Sequence, residues 1–107
     1  MKNKKTSKEI FVSQEGTEFQ KMVWKELLNI KKGEVKTYTD VAKAIGKPKA
    51  VRAVASAIAK NKQLIDIPCH RVVRSDGTVG EYARGTELKI KLLESESIII
   101  KNGKVVL

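Results

Sequence analysis

The chain has one cysteine, Cys69, and one histidine, His70, among its 107 residues. A lone cysteine excludes an internal disulfide, and one Cys with one His leaves no ligand cluster for a structural zinc centre. The thiol is therefore free, as suits a reducing, intracellular compartment. Aromatic residues make up only 5%, too few to suggest a platform on which bases stack. Long hydrophobic runs are also missing. Nothing approaches the roughly 20 apolar residues of a membrane span, and no such run follows the basic opening "MKNKKTSKE". The expectation is a soluble protein with no membrane partner. There is no internal repeat, low-complexity stretch or interdomain linker, and residues 1–10 have no core-building pattern, which predicts a disordered basic lead before a single domain over 11–107.

What is present is positive charge. The length is that of one domain, enough to bury roughly 60 to 70% of the unfolded surface. Lys and Arg number 22 against 12 Asp and Glu, a net charge of +10, which favours a polyanionic partner. The surplus is concentrated: nine basic and two acidic residues between Lys31 and Lys62 carry +7 of the +10.

The local grammar of that region is helical. In "EGTEFQKMVWKELLNIKKGE", Thr17 and Gln20 form a capping box, Phe19, Val23, Leu27 and Ile30 share one face, and Gly33 is the expected stop. "TYTDVAKAIG" repeats the pattern with Thr37 and Asp40 as the box, Val41 and Ile45 inward and Gly46 at the end. "AVRAVASAIAKN" predicts a second short helix, with Pro48 tolerated at its first turn and Asn61 as terminator. Two short helices across a tight turn make a helix-turn-helix candidate over about 37–61. The small residues Ala50, Ala53, Ala55, Ser56, Ala57 and Ala59 would let the second helix approach another surface closely, and Arg52 lies in its first two turns, where such helices present side chains to nucleic acid. A plain helical hairpin has the same pattern; the basic charge favours DNA binding.

Beyond it, "HRVVR" is β-prone and "SDGT" predicts a tight turn into "VGEY". "GTELKIKLLESE" predicts a last helix with Leu88, Leu92 and Leu93 buried, and "SIIIKNGKVVL" a terminal hairpin about Asn102-Gly103.

A free cysteine is commonly a small buried hydrophobe. Here its neighbours argue for reactivity: Pro68 fixes the backbone before it, His70 can draw off its proton, and Arg71 adds positive charge that favours thiolate. In an extended segment adjacent side chains point to opposite faces, so a tight turn is needed to bring the imidazole into play. Spacing alone leaves acyl transfer and alkyl transfer both open.

"PCHRVV", preceded by "GEVKTYTDVAKAIGKPKAVRAVASAIAKN" and followed by "SDGTVGEYARG" and "KLLESE", resembles the DNA-binding and active-site domain of the O6-alkylguanine-DNA alkyltransferases, over about residues 16–97. The resemblance implies a mainly α fold with short β-hairpins, a winged-helix-like helix-turn-helix domain. It also implies a monomer that binds double-stranded DNA containing O6-alkylguanine through the minor groove. No cofactor is implied, and the location would be intracellular: cytoplasmic in a prokaryote, nuclear in a eukaryote.

On that resemblance Cys69 matches the acceptor that takes the alkyl group irreversibly and is consumed. His70 matches the base that polarises it through a water, and Glu96 the carboxylate that orients the histidine. Tyr38 matches the tyrosine whose hydroxyl donates to the base, Asn61 the asparagine tying the recognition helix to the cysteine turn, and Arg52 the finger that fills the hole left by the extruded nucleotide. Arg71, Val72, Gly80, Tyr82, Ala83 and Leu64 are assigned to the base-binding surface, and Gly85 agrees with its loop. Lys36, Thr37, Lys47, Lys49, Ala50, Ala53 and Lys60 join Arg52 as DNA contacts. Two positions depart from the pattern. Ala83 stands where many active members have a serine that hydrogen-bonds the flipped base, and Leu64 where some have proline. Many members carry a preceding domain, so the resemblance is to the catalytic half. Alkyltransferase-like proteins, which bind alkylated DNA without repairing it, commonly have tryptophan at the acceptor position.

Overall fold

A computed structural model of the chain describes residues 15–63 and 66–106. The basic lead expected over residues 1–10, the start of the domain expected from residue 11, and Leu64 lie outside the described residues.

Helix α1 (Glu18–Leu27) starts at the expected capping box: Thr17 Oγ1 accepts from the Gln20 amide at 3.0 Å, and Gln20 Oε1 accepts from the Thr17 amide at 2.9 Å. It stops at Leu27, earlier than Gly33. The amides of Leu28, Asn29 and Ile30 bond three residues back rather than four, a tightening that carries Ile30 into the core. Gly33 (φ 89°) serves the turn beyond.

A two-residue strand β1 (Lys36–Thr37) leads into helix α2 (Tyr38–Ala44). The second box caps it: Thr37 Oγ1 accepts from the Asp40 amide at 3.0 Å and Asp40 Oδ2 from the Thr37 amide at 2.9 Å. Helix α3 (Val51–Ala59) begins three residues after Pro48, which sits in the preceding turn instead of the helix's first one.

Helices α1, α2 and α3 bury Val23, Trp24, Leu27, Val41, Ala42, Val54, Ala57 and Ile58 against one another. Trp24 Nε1 donates to the Ala57 carbonyl at 2.8 Å, satisfying the indole within this core. Gly16 makes that indole position possible, because a Cβ there would lie 2.6 Å from Trp24 Cη2. Ala57 thus faces inward: its small size serves the packing under Trp24 rather than an outer surface.

After α3 the chain returns through a 3₁₀ turn (Cys69–Arg71) into strand β2 (Val72–Val73). Strand β2 pairs parallel with β1, Lys36 opposite Val72 and Thr37 opposite Val73, which sets the start of α2 beside the exit of the cysteine turn. The Asp76-Gly77 turn forms, with Asp76 Oδ1 accepting from the Thr78 amide and hydroxyl at 3.0 and 2.7 Å. Across it Arg74 N donates to the Thr78 carbonyl and Gly77 N to the Arg74 carbonyl, both at 2.9 Å, but no strand ladder joins "HRVVR" to "VGEY" among the described residues. Thr78 bridges Lys104, and Val105 N donates to the Gly77 carbonyl at 2.8 Å, so this segment joins the terminal hairpin instead. That hairpin, β3 (Ile100–Lys101) against β4 (Lys104–Val105), turns at Asn102 (φ 52°) and Gly103 (φ 75°), the left-handed pair expected of Asn-Gly.

Helix α4 (Thr86–Ser95) lies between these segments. Of its predicted stripe only Leu93 is fully buried, while Leu88 and Leu92 are half-buried. The other buried position is Lys89, four residues before Leu93 on the same helical face.

A candidate active site around Cys69

The tight turn that a reactive Cys-His pair requires is present. Cys69 N donates to the Ile67 carbonyl at 2.7 Å and Arg71 N to the Pro68 carbonyl at 3.0 Å, so residues 69–71 wind as a 3₁₀ turn instead of alternating as in a strand. Cys69 and His70 are each 5% exposed.

His70 Nε2 lies 3.0 Å from Glu96 Oε2 at the end of α4. An ionised carboxylate can only accept, so in the neutral imidazole the proton sits on Nε2 and Nδ1 carries the lone pair. That Nδ1 is buried and has no hydrogen-bond partner among the described residues. The ring is thus held by one nitrogen with its basic nitrogen uncommitted.

Arg71 closes the other side of Glu96. Its Nε reaches Oε1 and its Nη2 reaches Oε2, both at 2.8 Å, while Nη1 donates to the Ile30 carbonyl at 2.8 Å. The Arg71 hydrogen bond, with His70 adding to it, holds the Glu96 carboxyl down at about 2. Arg71 is thus bound to Glu96 and to the Ile30 carbonyl, and Val72 is buried in the core.

Asn61, just past the end of α3, is 3% exposed. Its Nδ2 donates to the Ile67 carbonyl at 3.2 Å and its Oδ1 accepts from the Gln63 amide at 2.9 Å, fastening the end of α3 to the segment entering the cysteine turn. A side-chain hydrogen bond from Asn61 and the charge of Lys89 favour the Cys69 thiolate, but burial outweighs them and pushes the thiol up. At neutral pH the resting thiol is protonated and needs a base.

A cleft of about 350 Å³ opens beside this turn. Ala55, Ile58 and Ala59 of α3 form one wall and Glu81, Tyr82 and Ala83 the other, with Tyr38 and Arg74 also lining it. The volume falls in the range of small-molecule sites. Cys69 is not part of the cleft lining, but the lining residues Tyr38 and Tyr82 pack against the buried cluster that contains it. Burial raises the Tyr38 phenol; Arg74 opposes this, and Cys69 and Glu81 add to it. Tyr38 therefore remains a proton donor through the neutral range. Gly80 adopts φ 76°, a left-handed conformation that favours glycine, in the loop beside that phenol. Gly85 (φ 101°) ends the loop at the start of α4.

The candidate DNA contacts fall on one stretch of the fold. On α3, Arg52, Ala53, Ser56, Ala59 and the following Lys60 are exposed while Val54, Ala57 and Ile58 face the core. Lys47 and Lys49 are exposed in the turn before it, and Ala50 is half-buried. Lys36 is exposed on β1, whereas the Thr37 hydroxyl is engaged as the cap of α2.

Lys89 is the site residue missed by sequence reasoning. It has no exposed surface, and its Nζ donates to the Glu81 carbonyl at 3.2 Å. Burial lowers its ammonium to about 8, with the Cys69 charge pulling it up and Arg74 pushing it down. The signal was its four-residue spacing from Leu93, which the charge of the side chain concealed.

Residues 18–98 match the family described as 6-O-methylguanine DNA methyltransferase, DNA binding domain. A methylated-DNA–protein-cysteine methyltransferase of Methanosarcina barkeri is 52% identical over 82 residues, 77% of this chain and 52% of that protein. Mycobacterium tuberculosis OGT, solved in complex with DNA, superposes with a TM-score of 0.75 at 45% identity, over 77% of this chain and 51% of that one. S. pombe Atl1, solved with damaged DNA containing O6-carboxymethylguanine, gives a TM-score of 0.75 at 28% identity, over 88% of this chain and 92% of Atl1. The chain spans about half the length of the Methanosarcina relative. Among the described residues, no helix is long and apolar enough to cross a membrane. With a match across most of its length and a mainly helical fold shared with these neighbours, the chain belongs to the 6-O-methylguanine DNA methyltransferase family.

Proposed function

We propose that this protein is a DNA repair alkyltransferase that takes an alkyl group from O6 of guanine onto its own Cys69, irreversibly and once per molecule. The observation that carries this reading is the cysteine turn itself: a thiol followed in the chain by an imidazole whose Nε2 is held by Glu96 at 3.0 Å and whose Nδ1 has no partner among the described residues. That is the arrangement of an activated nucleophile, with a base oriented by a third group.

In this reading the thiol proton passes to His70 Nδ1 through a water, and Glu96 stabilises the imidazolium. Cys69 Sγ attacks the alkyl carbon in line with the C–O6 bond. The S–C bond forms, the C–O6 bond breaks, and its electron pair stays with guanine. Tyr38, protonated at neutral pH, donates a proton to the base as it leaves. The product is a neutral thioether, with no group present to remove it. Asn61 holds the cysteine turn against α3.

O6 lies within the base stack, so the nucleotide is extruded into the cleft between α3 and the loop of Gly80, Tyr82 and Ala83. Arg52 fills the vacated space. The exposed Ala53, Ser56 and Ala59 strip of α3 suits close approach in the minor groove, and Lys36, Lys47, Lys49 and Lys60 meet phosphates. Binding by a monomer through those charges weakens steeply with salt. In this reading Leu64, outside the described residues, also contributes to base recognition. Ala83 lacks a hydroxyl, a loss worth roughly 1 kcal/mol in the pocket.

A second reading, a lesion sensor that binds O6-alkylguanine without repairing it and recruits another pathway, is favoured by the near full-length match to Atl1. Incubation with an O6-methylguanine duplex followed by intact-mass and peptide mapping separates the two. Repair adds one methyl group at Cys69, whereas sensing gives lesion-preferring binding with no mass change. Cys69→Ala should bind DNA and transfer nothing; a variant that still transferred would overturn the assignment.

A further inference from the structure

The run "HRVVR" has two arginines with opposite surroundings. Arg71 commits its guanidinium to Glu96 and the Ile30 carbonyl, at 2.8 Å in each contact. Arg74, three residues on, is exposed, and among the described residues its guanidinium has neither a hydrogen bond nor an ion pair. It is also the one cation among the described residues that line the cleft of about 350 Å³. Its Cγ and Nε and the Tyr38 Oη all lie 3.6 Å from the point that a Cβ on Gly80 would occupy, so the base of the guanidinium and the phenol flank the same glycine.

The backbone under Arg74 is fixed. Its amide donates to the Thr78 carbonyl and its carbonyl accepts from the Gly77 amide, both at 2.9 Å, and the Ser75 and Thr39 hydroxyls, 2.8 Å apart, tie the turn to the start of α2. A cation held at the rim of a cleft with no anion of its own is suited to an anion that arrives with the ligand. The interior is no place for that anion, since Ala55, Ile58, Ala59 and Ala83 are apolar and Glu81 repels it. A base that enters the cleft while still joined to DNA has a phosphodiester on each side of its sugar, and these charges stay with the backbone, outside the interior. A guanidinium fork matches two phosphate oxygens in geometry as well as in charge.

We propose that Arg74 binds a phosphodiester flanking the extruded nucleotide, so that the cleft favours an alkylated guanine within a strand over the free base. This inference rests on the reading of the cleft as the place that receives the base. The role differs from that of Arg52, which stays in the duplex, and from that of the lysines, which meet the backbone of stacked nucleotides.

The test uses the full chain and a single-stranded trinucleotide with a central O6-methylguanine, which needs no extrusion and so makes no demand on Arg52. Transfer is read by mass spectrometry and equilibrium binding by fluorescence anisotropy of the labelled trinucleotide. Arg74→Gln is expected to lower both about tenfold, with transfer from free O6-benzylguanine unchanged. On duplex DNA it should flatten the slope of log affinity against log salt by about 0.9, the share of one phosphate contact, while Arg74→Lys keeps the slope. Each flanking phosphodiester is then replaced in turn by an uncharged methylphosphonate. At one of the two positions the parent should lose about tenfold and Arg74→Gln nothing further. Equal losses in parent and Arg74→Gln at both positions overturn the proposal. So does an equal effect of Arg74→Gln on the free base, which would place Arg74 on proton donation by Tyr38. If the parent transfers nothing from any substrate, the alkyltransferase reading fails, and the methylphosphonate series read as binding still decides the role of Arg74.

Discussion

Helices α3 and α4 flank the same cleft region and treat charge in opposite ways. Helix α3 buries only Val54, Ala57 and Ile58 and turns Arg52 outward. Helix α4 buries Lys89 beside Leu93 and brings Glu96, just past its end, to His70 and Arg71. An outward charge is solvated whatever the core does, so α3 is an ordinary amphipathic helix whose polar face is available to a partner. Inward charges must find partners, so the position of α4 depends on the chemistry of the cysteine turn as much as on hydrophobic burial.

The contrast is tested most severely at Glu96. Glu96→Gln leaves the Arg71 guanidinium without its counterion and His70 without the carboxylate that fixes its tautomer. Single-turnover transfer is expected to fall about a hundredfold or more, and stability by about 2–4 kcal/mol in urea unfolding. The same group gives a pH signature. Its carboxyl is lowered from 4.5 to about 2 in the folded protein. The stabilisation is thus fully present above about 4.5 and is lost as pH falls toward 2. The parent should lose melting temperature across that window more steeply than Glu96→Gln; parallel curves would mean that the ion pair contributes nothing.

Arg52→Ala is the matching experiment on α3. Its stability should stay within about 0.5 kcal/mol of the parent, while transfer from duplex DNA falls about tenfold or more because extrusion loses its support. Transfer from free O6-benzylguanine, which needs no extrusion, should be unchanged. Equal loss on both substrates would show that Arg52 acts on the chemistry instead.

Smaller effects belong to the scaffold. Trp24→Phe removes the 2.8 Å bond to the Ala57 carbonyl, which keeps the Lys60 amide as a donor at 3.1 Å; a loss of about 0.5–1.5 kcal/mol is expected in thermal or urea unfolding. Thr37→Ala removes the cap of α2 and should cost about 1 kcal/mol, with transfer altered only if the cap also positions Tyr38, the next residue.

Both capping boxes, the paired short helices and the Asn102-Gly103 hairpin were legible because each is written within a few residues. The end of α1 was not, because a 3₁₀ tightening that carries Ile30 inward competes with a stop at Gly33. Nor was the pairing of β2, whose partner β1 is remote in sequence, nor the bridge from Thr78, just past the local Asp-Gly turn, to the distant Lys104. At the site, Cys69 and His70 stood out as the sole residues of their kinds, and Glu96 entered through resemblance, since no spacing rule joins residues 26 apart. The effect expected of the Arg71 charge on the thiol followed from adjacency to the cysteine. Adjacency does not say which neighbours turn toward a cleft and which toward Glu96 or the core.

By itself the amino-acid order determined where helices start, which residues have the chemistry of a nucleophile and its base, and that positive charge gathers around the second helix pair. These are properties of nearest neighbours and of composition. Only the tertiary structure decided which partners those groups meet: Glu96 between His70 and Arg71, Lys89 inward on the Glu81 carbonyl, and β2 alongside β1. The reason is that a buried charge or an unpaired strand is satisfied by whatever the packed chain brings within a few ångströms, and that proximity is fixed by the folding of the whole domain.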